Sequence, residues 1–263
     1  MKNKDKLIIV LSIIIIILII IIVGLLIKKG MPISSNNTLV KNAYAYVSNK
    51  DLEKCSGLVM YDDKKVTKKT LDNTTKVCIA YNLLDDDGEE VILDKTKKKT
   101  TCQIKKGMVF ALDNYEGDKC TVEKISKEKV EKKYKEIFGE KLKNNESFTL
   151  DNVSVCHFYD GYYYCGLSEE YTYVFGAEPH TYRLIKSAYK KDDKLIIYDY
   201  FLKIINDECY TSFVANDKND KCTKKYDDKD GVTRGFMKKS ATVYKHTFKE
   251  NNGTYYWVSS EKN

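Results

Sequence analysis

Positions 7–27 form one unbroken apolar run, starting at Leu7, ending at Ile27 and interrupted only by Ser12 and Gly24, and the rest of the chain follows it. As a helix, such a run reaches roughly 30 Å at about 1.5 Å per residue, the hydrocarbon thickness of a bilayer. A secretory signal peptide has a shorter apolar stretch of about 7–15 residues followed by a small-x-small cleavage site. Here Lys28, Lys29 and Gly30 come next, with no Ala-x-Ala pattern and no nearby cysteine to carry a lipid. The pattern predicts a cytoplasmic N-terminus at 1–6, a transmembrane helix at 7–27 that meets the membrane, and a short tether at 28–37.

Lys2, Lys4 and Lys6 precede the run and only Lys28 and Lys29 follow it closely. That bias favours an internal N-terminus and an external C-terminal domain. Cysteine usage points the same way. All eight cysteines, Cys55, Cys78, Cys102, Cys120, Cys156, Cys165, Cys209 and Cys222, lie beyond the run. An even number of cysteines outside the cytosol reads as a disulfide framework. The expected location is the cell membrane, single-pass, with the C-terminal domain outside.

The formal net charge of +7 overstates the basicity of that domain. Lys2, Lys4, Asp5 and Lys6 supply two of those charges and Lys28 and Lys29 two more, which leaves +3 for the remainder. No dense basic stripe remains, which argues against nucleic acid as a partner. Lysine outnumbers arginine 43 to 2, and Ile, Asn and Tyr are abundant, a bias that reflects AT-rich codons rather than function. Only Pro32 and Pro179 occur, so no Pro-rich stalk is expected.

The domain divides by periodicity into a mixed helix and strand region at 38–150 and an antiparallel β-rich region at 151–263. Leu39, Val40, Ala43, Tyr44 and Val47 recur at helical spacing, with Asn37 or Thr38 available as a cap. Residues 67–84 suggest a second helix, with Leu71, Cys78 and Tyr81 on one face. Val130, Tyr134, Ile137 and Phe138 follow the i, i+4, i+7, i+8 rule, and Gly139 stands where a left-handed residue would end the helix. From Val153 the period becomes two. Ile196, Tyr198, Tyr200, Leu202 and Ile204 alternate along one long strand, turned back at Asp192-Asp193, and Asn252-Gly253 joins two further strands. The expected class is α+β: helices packed on a twisted antiparallel β-meander, an arrangement that resembles cystatin-like or NTF2-like folds.

One spacing has predictive geometry. If Asp160-Gly161 forms a two-residue turn, residues whose numbers sum to 321 oppose one another, and Cys156 and Cys165 are such a pair. They fall at a non-hydrogen-bonded position, where the Cα separation of about 4.5 Å suits a disulfide. Pairing by proximity would then join Cys209 to Cys222, Cys102 to Cys120 and Cys55 to Cys78, one of fifteen arrangements of the six remaining cysteines. No C-x-x-C is present.

Chemistry-bearing motifs are scarce. His157, His180 and His246 read as surface or hairpin histidines, since neither H-E-x-x-H nor another ligand spacing surrounds them, although Glu178 lies near His180. The acidic turns at 85–88 and 228–231 lack a carboxylate at the first calcium-loop position and a Glu at the twelfth. No catalytic, cofactor-binding or metal-binding residue is assigned, and no cofactor is expected. Tyr159, Tyr162, Tyr163, Tyr164, Tyr171 and Tyr173 crowd one region, where exposed rings would suit an amphipathic ligand.

The stretch at 129–139, from Lys129 through Tyr134 to Gly139, and the stretch at 244–261, which includes His246, Gly253 and Trp257, are similar to segments of uncharacterised, single-span membrane-anchored proteins of AT-rich Gram-positive-type bacteria. That resemblance implies a bacterial envelope setting and supplies no activity. The expected function is a non-catalytic binding or interaction module that holds an envelope protein or wall polymer and carries an exposed aromatic patch. An envelope enzyme would instead show a deep pocket of converging ionisable groups. A cytoplasm-facing domain would show free thiols.

Overall fold

The computed structural model describes residues 2–55, 61–62, 64–85, 88–96, 101–113, 117–150, 153–170, 180–211, 221–222 and 231–263; within the first helix, side chains are described at Ile8 and at 11–24. That helix, α1 (Lys2–Lys29), carries the apolar run. Among the described residues no helix is long and apolar enough to cross a membrane. The transmembrane helix expected at 7–27 is corrected accordingly. Its backbone is helical, but part of the run lies outside the described side chains, and those described, such as Ile8 and Ile20, are exposed.

The fold class also needs correction. The chain is mostly β, with 45% strand and 29% helix, and is built on large antiparallel sheets rather than on one meander backed by helices. A seven-stranded sheet runs in the order β1 (Met31–Ile33), β10 (His180–Lys191), β11 (Lys194–Ile205), β13 (Thr242–Asn251), β14 (Thr254–Lys262) and β2 (Val66–Thr67), with β12 (Glu208–Tyr210) beside the end of β11. A five-stranded sheet runs β3 (Glu89–Asp94), β6 (Lys119–Ser126), β9 (Tyr162–Leu167), β8 (Ser154–Tyr159) and β7 (Phe148–Leu150). A separate hairpin joins β4 (Thr101–Lys105) to β5 (Met108–Ala111). The strands of the first half escape a period-two reading because charged residues interrupt them and both faces are packed. In β6, Cys120 and Val122 point to one cluster and Ile125 to another.

The helices end where the backbone chemistry requires. In α2 (Thr38–Ser48), Leu39 N donates to the Asn37 side chain at 2.9 Å, and Val40, Ala43 and Val47 are buried. In α3 (Asn73–Asn82), Thr75 N donates to Asp72 at 2.6 Å, so the helix starts there rather than at Thr67, which belongs to β2. Residues Val77, Cys78, Ile79, Ala80 and Tyr81 are all buried, which explains the poor amphipathic pattern of this helix. The next helix, α4 (Lys127–Phe138), buries Val130, Tyr134, Ile137 and Phe138 and stops at Gly139, whose φ is 66°. A short α5 (Arg234–Ser240), capped by Thr233, was not legible beforehand.

Helices α2, α3 and α4 and the inner faces of both sheets share one core, which contains Trp257, Phe248, Tyr244, Phe201, Tyr163 and Phe138. Burying each such side chain is worth about 1.5–3 kcal/mol. Two satellites flank that core. One gathers Leu202, Ile204, Cys209, Phe236 and Met237 under α5, and the other gathers Cys102, Phe110, Cys120 and Val122 under the β4–β5 hairpin.

Candidate binding surface and buried polar network

Asp160 and Gly161 both have positive φ, 48° and 79°, and form the turn between β8 and β9, so Tyr159 pairs with Tyr162 and Cys156 with Cys165. Asp and Gly tolerate this left-handed region, which matches the twist of the flanking strands. The two cysteines are bonded, with a Cα separation of 4.0 Å. Cys55 joins Cys78, Cys102 joins Cys120 and Cys209 joins Cys222, and no cysteine is free. The pairs are those that neighbours along the chain would make. Four disulfides fit an oxidising, extracytoplasmic setting.

The register sorts the crowded tyrosines. Tyr163 turns inward, is fully buried and donates to Asn145 at 2.8 Å. Tyr159, Tyr162 and Tyr164 share the opposite face with His157, because β8 and β9 pair Tyr159 with Tyr162 and His157 with Tyr164. Tyr162 is exposed, while Tyr159 and Tyr164 are half-buried. The Tyr162 and Tyr164 rings lie 6.3 Å apart. Lys124 sits 4.4 Å from the centre of the Tyr162 ring, and Lys105 sits 5.0 Å from that of Tyr159. Glu89 is the nearby carboxylate, 3.4 Å from the Lys124 ammonium. Phe110 from β5 packs edge-on against His157, whose Nε2 lies 3.2 Å from the Val109 carbonyl. Burial lowers the His157 pKa, and the Val109 carbonyl opposes that shift. Tyr171 and Tyr173 lie outside the described residues.

The chemistry that sequence reasoning missed is inside the core. His246 is fully buried, with Nδ1 2.6 Å from Ser260 Oγ and Nε2 3.1 Å from Asp199 Oδ1. Tyr44 and Tyr61 donate to Asp199 Oδ2 at 2.7 and 2.6 Å, and Trp257 Nε1 donates to Ser260 Oγ at 2.9 Å. Burial first, and then the charge of Asp199, push both tyrosines well above the ordinary phenol range. A bulge aligns the set. Thr247 pairs with Ser259 but Phe248 with Trp257, so Val258 is the extra residue and both Trp257 and Ser260 face the core. With the His246 proton assigned to Nε2, every donor finds an acceptor: Trp257 to Ser260, Ser260 to Nδ1, Nε2 to Asp199 and two tyrosines to Asp199. The order serine, histidine, aspartate matches a hydrolytic triad, but Asp199, His246 and Ser260 are all completely buried. A nucleophile must reach its substrate. This network is therefore structural.

A cleft of about 640 Å³ opens beside the C-terminal end of α3, lined by residues that include Lys54, Tyr81, Asn82, Glu123, Ser154 and Leu167. Its carboxylate is already engaged. Glu123 accepts from the Tyr81 hydroxyl, and its Oε1 accepts from Gly88 N at 2.8 Å. Burial first, and then the hydrogen bond from its own hydroxyl to Glu123, raise the Tyr81 pKa strongly.

His180 is exposed at the start of β10, while its neighbour Glu178 lies outside the described residues. Asp85 is held by Lys133 at 2.6 Å, while 86–87 and 228–230 fall outside the described residues. Among the described residues no cluster of His, Cys, Asp and Glu suits a metal ion.

No family model matches this chain, and no curated protein or solved structure is significantly similar to it. The cystatin-like and NTF2-like comparison therefore gains no support.

Proposed function

We propose that the protein is a non-catalytic binding module working outside the cytoplasm, attached to a membrane through the apolar helix α1, and that it binds an anionic, hydroxyl-rich wall polymer. The observation that carries this reading is the partly exposed face of the β8–β9 hairpin, walled on one side by the β4–β5 ribbon, where exposed Tyr162 and half-buried Tyr159 and Tyr164 stand beside Lys105 and Lys124. Phenol rings offer apolar faces and hydroxyls, and ammonium groups add attraction for phosphate or carboxylate. The four disulfides support the external setting. The sealing of the Ser260, His246 and Asp199 network supports a binding role over hydrolysis.

The test is co-sedimentation of the detergent-solubilised chain with purified bacterial walls, intact or stripped of phosphate-bearing polymer. Intact walls should retain it and stripped walls should not, and Tyr162→Ala with Lys124→Gln should weaken retention about tenfold, the effect of about 1.4 kcal/mol. Equal retention by the double variant would overturn the assignment of the face. Retention that survives stripping but is lost after protease treatment of the walls would overturn the polymer and make the occupant a protein.

A further inference from the structure

The point where α1 joins the domain is built from one end of the seven-stranded sheet. Gly30, with φ 90°, passes so close to β10 that a Cβ there would stand 2.6 Å from the Lys190 carbonyl oxygen, so only glycine fits. Directly after it, Met31 pairs with Lys190 and is 72% exposed. The same end holds two hairpin tips, the turn at Asp192-Asp193 and the turn at Asn252-Gly253. They are tied together by the Glu250 N–H, which donates to the Asp193 carbonyl at 2.6 Å. Four lysines decorate these tips: Lys190, Lys191, Lys194 and Lys249. Lys194 and Lys249 oppose each other across the β11–β13 pairing. Against them stand Asp192, Asp193 and Glu250, with Lys190 3.0 Å from Glu250 and Lys249 3.4 Å from Asp193.

We propose that this rim is a second contact with the membrane, in which Met31 and the lysines of the two hairpin tips rest on anionic phospholipid headgroups and fix how the domain stands on the bilayer. The inference rests on lipid attachment through α1. Chain continuity carries it: a helix that enters lipid brings Gly30, and with it the β10–β11 tip, to the headgroup layer. Ammonium groups held within about a Debye length of anionic headgroups are attracted to them, and an exposed methionine suits the interface. With the domain so placed, the opposite end of β11, where α5 packs, points away from the membrane.

The experiment reconstitutes the full chain into vesicles of phosphatidylcholine alone or with one-third phosphatidylglycerol. It checks flotation and then measures acetylation rates of individual lysines by peptide mass. In the anionic vesicles Lys190, Lys194 and Lys249 should react at least fivefold more slowly than in neutral ones, while exposed Lys238 on α5 changes little. The slowing should vanish in high salt, and at Lys190 and Lys249 in a Lys191→Glu, Lys194→Glu variant. Flotation with unchanged rates at the rim would overturn this proposal and leave α1 attachment standing. Failure to float in either vesicle would overturn both.

Discussion

Replacing Asp199 tests whether the buried network is a structural unit. In Asp199→Ala, the hydroxyls of Tyr44 and Tyr61 and the Nε2 proton of His246 lose their acceptor together, within a core from which water is excluded. A stranded buried donor costs about 1–3 kcal/mol, and partial relaxation makes such costs less than additive. A loss of about 3–5 kcal/mol follows, comparable with breaking a buried charged pair. Asp199→Asn behaves differently. Its carbonyl oxygen still accepts from both tyrosines and its amide donates to His246 Nε2 once the ring proton moves to Nδ1. The Ser260 hydroxyl and the second amide hydrogen of the asparagine are then left seeking acceptors, at about 2–3 kcal/mol after partial relaxation. Trp257, the sole tryptophan, donates to Ser260 and so reports on the network directly. Urea unfolding of the full chain in mild detergent, disulfides intact and followed by Trp257 fluorescence, measures both variants. A loss below about 1 kcal/mol for the alanine variant, or an asparagine variant as damaging as the alanine one, would refute the reasoning.

Three other outcomes follow from the same geometry. Gly139→Ala should cost about 2 kcal/mol or more in urea unfolding, because the residue holds a left-handed φ and its Cβ would stand 2.6 Å from the Tyr256 ring. Disulfide removal should rank by loop length: replacing Cys55 and Cys78, separated by 23 residues, should cost about 3 kcal/mol, and replacing Cys156 and Cys165, separated by 9, somewhat less, as read from melting temperatures. Burial raises the pKa of Tyr44, Tyr61 and Tyr163, so the unfolded chain loses those protons first; stability should be unaffected below about pH 10 and fall by about 1.4 kcal/mol per pH unit for each such tyrosine above it. Spectrophotometric titration should then show a buried class of tyrosines that ionises only as the chain unfolds; smooth titration of all of them near 10 would contradict that account.

What was legible in the sequence is what local chemistry determines. Asp160-Gly161 and Asn252-Gly253 are turns because Asp, Asn and Gly accept positive φ, and Gly139 ends α4 for the same reason. The alternation of Ile196, Tyr198 and Tyr200 marks β11, although the face it picks out is the half-buried one and Leu195, Ile197 and Phe201 face the core. What was not legible depends on distant partners. His246 looks like any hairpin histidine until the extra residue at Val258 turns Ser260 and Trp257 to its side of the sheet, and a bulge has no signature in that run. Helix α3 is buried around most of its circumference, which erases the amphipathic stripe. Strand β6 serves two cores at once, so its two packed faces hide the alternation that would have marked it as a strand.

The satellite beneath the β4–β5 hairpin links covalent structure to binding. Among the described residues its fully buried centre is small, Cys102, Phe110, Cys120 and Val122, with half-buried side chains such as Leu93, Ile104 and Leu112 around it, so burial alone holds a two-stranded ribbon weakly. The Cys102–Cys120 bond supplies the missing constraint by fastening β4 to β6. That ribbon carries Lys105 over Tyr159 and packs Phe110 against His157, so it forms one wall of the tyrosine face. The main core shares none of these residues. Replacing both Cys102 and Cys120 with serine should therefore loosen the ribbon while leaving the Trp257 environment native. Wall retention should fall several-fold with the fluorescence spectrum unchanged and with core stability reduced by no more than the roughly 3 kcal/mol that opening a loop of this size costs. If retention stayed at the wild-type level while amide exchange showed the ribbon released, Lys105 would be removed from the binding surface and the face reduced to Tyr162, Tyr164 and Lys124. If core stability fell by clearly more than about 3 kcal/mol, the separation of satellite from core would be wrong.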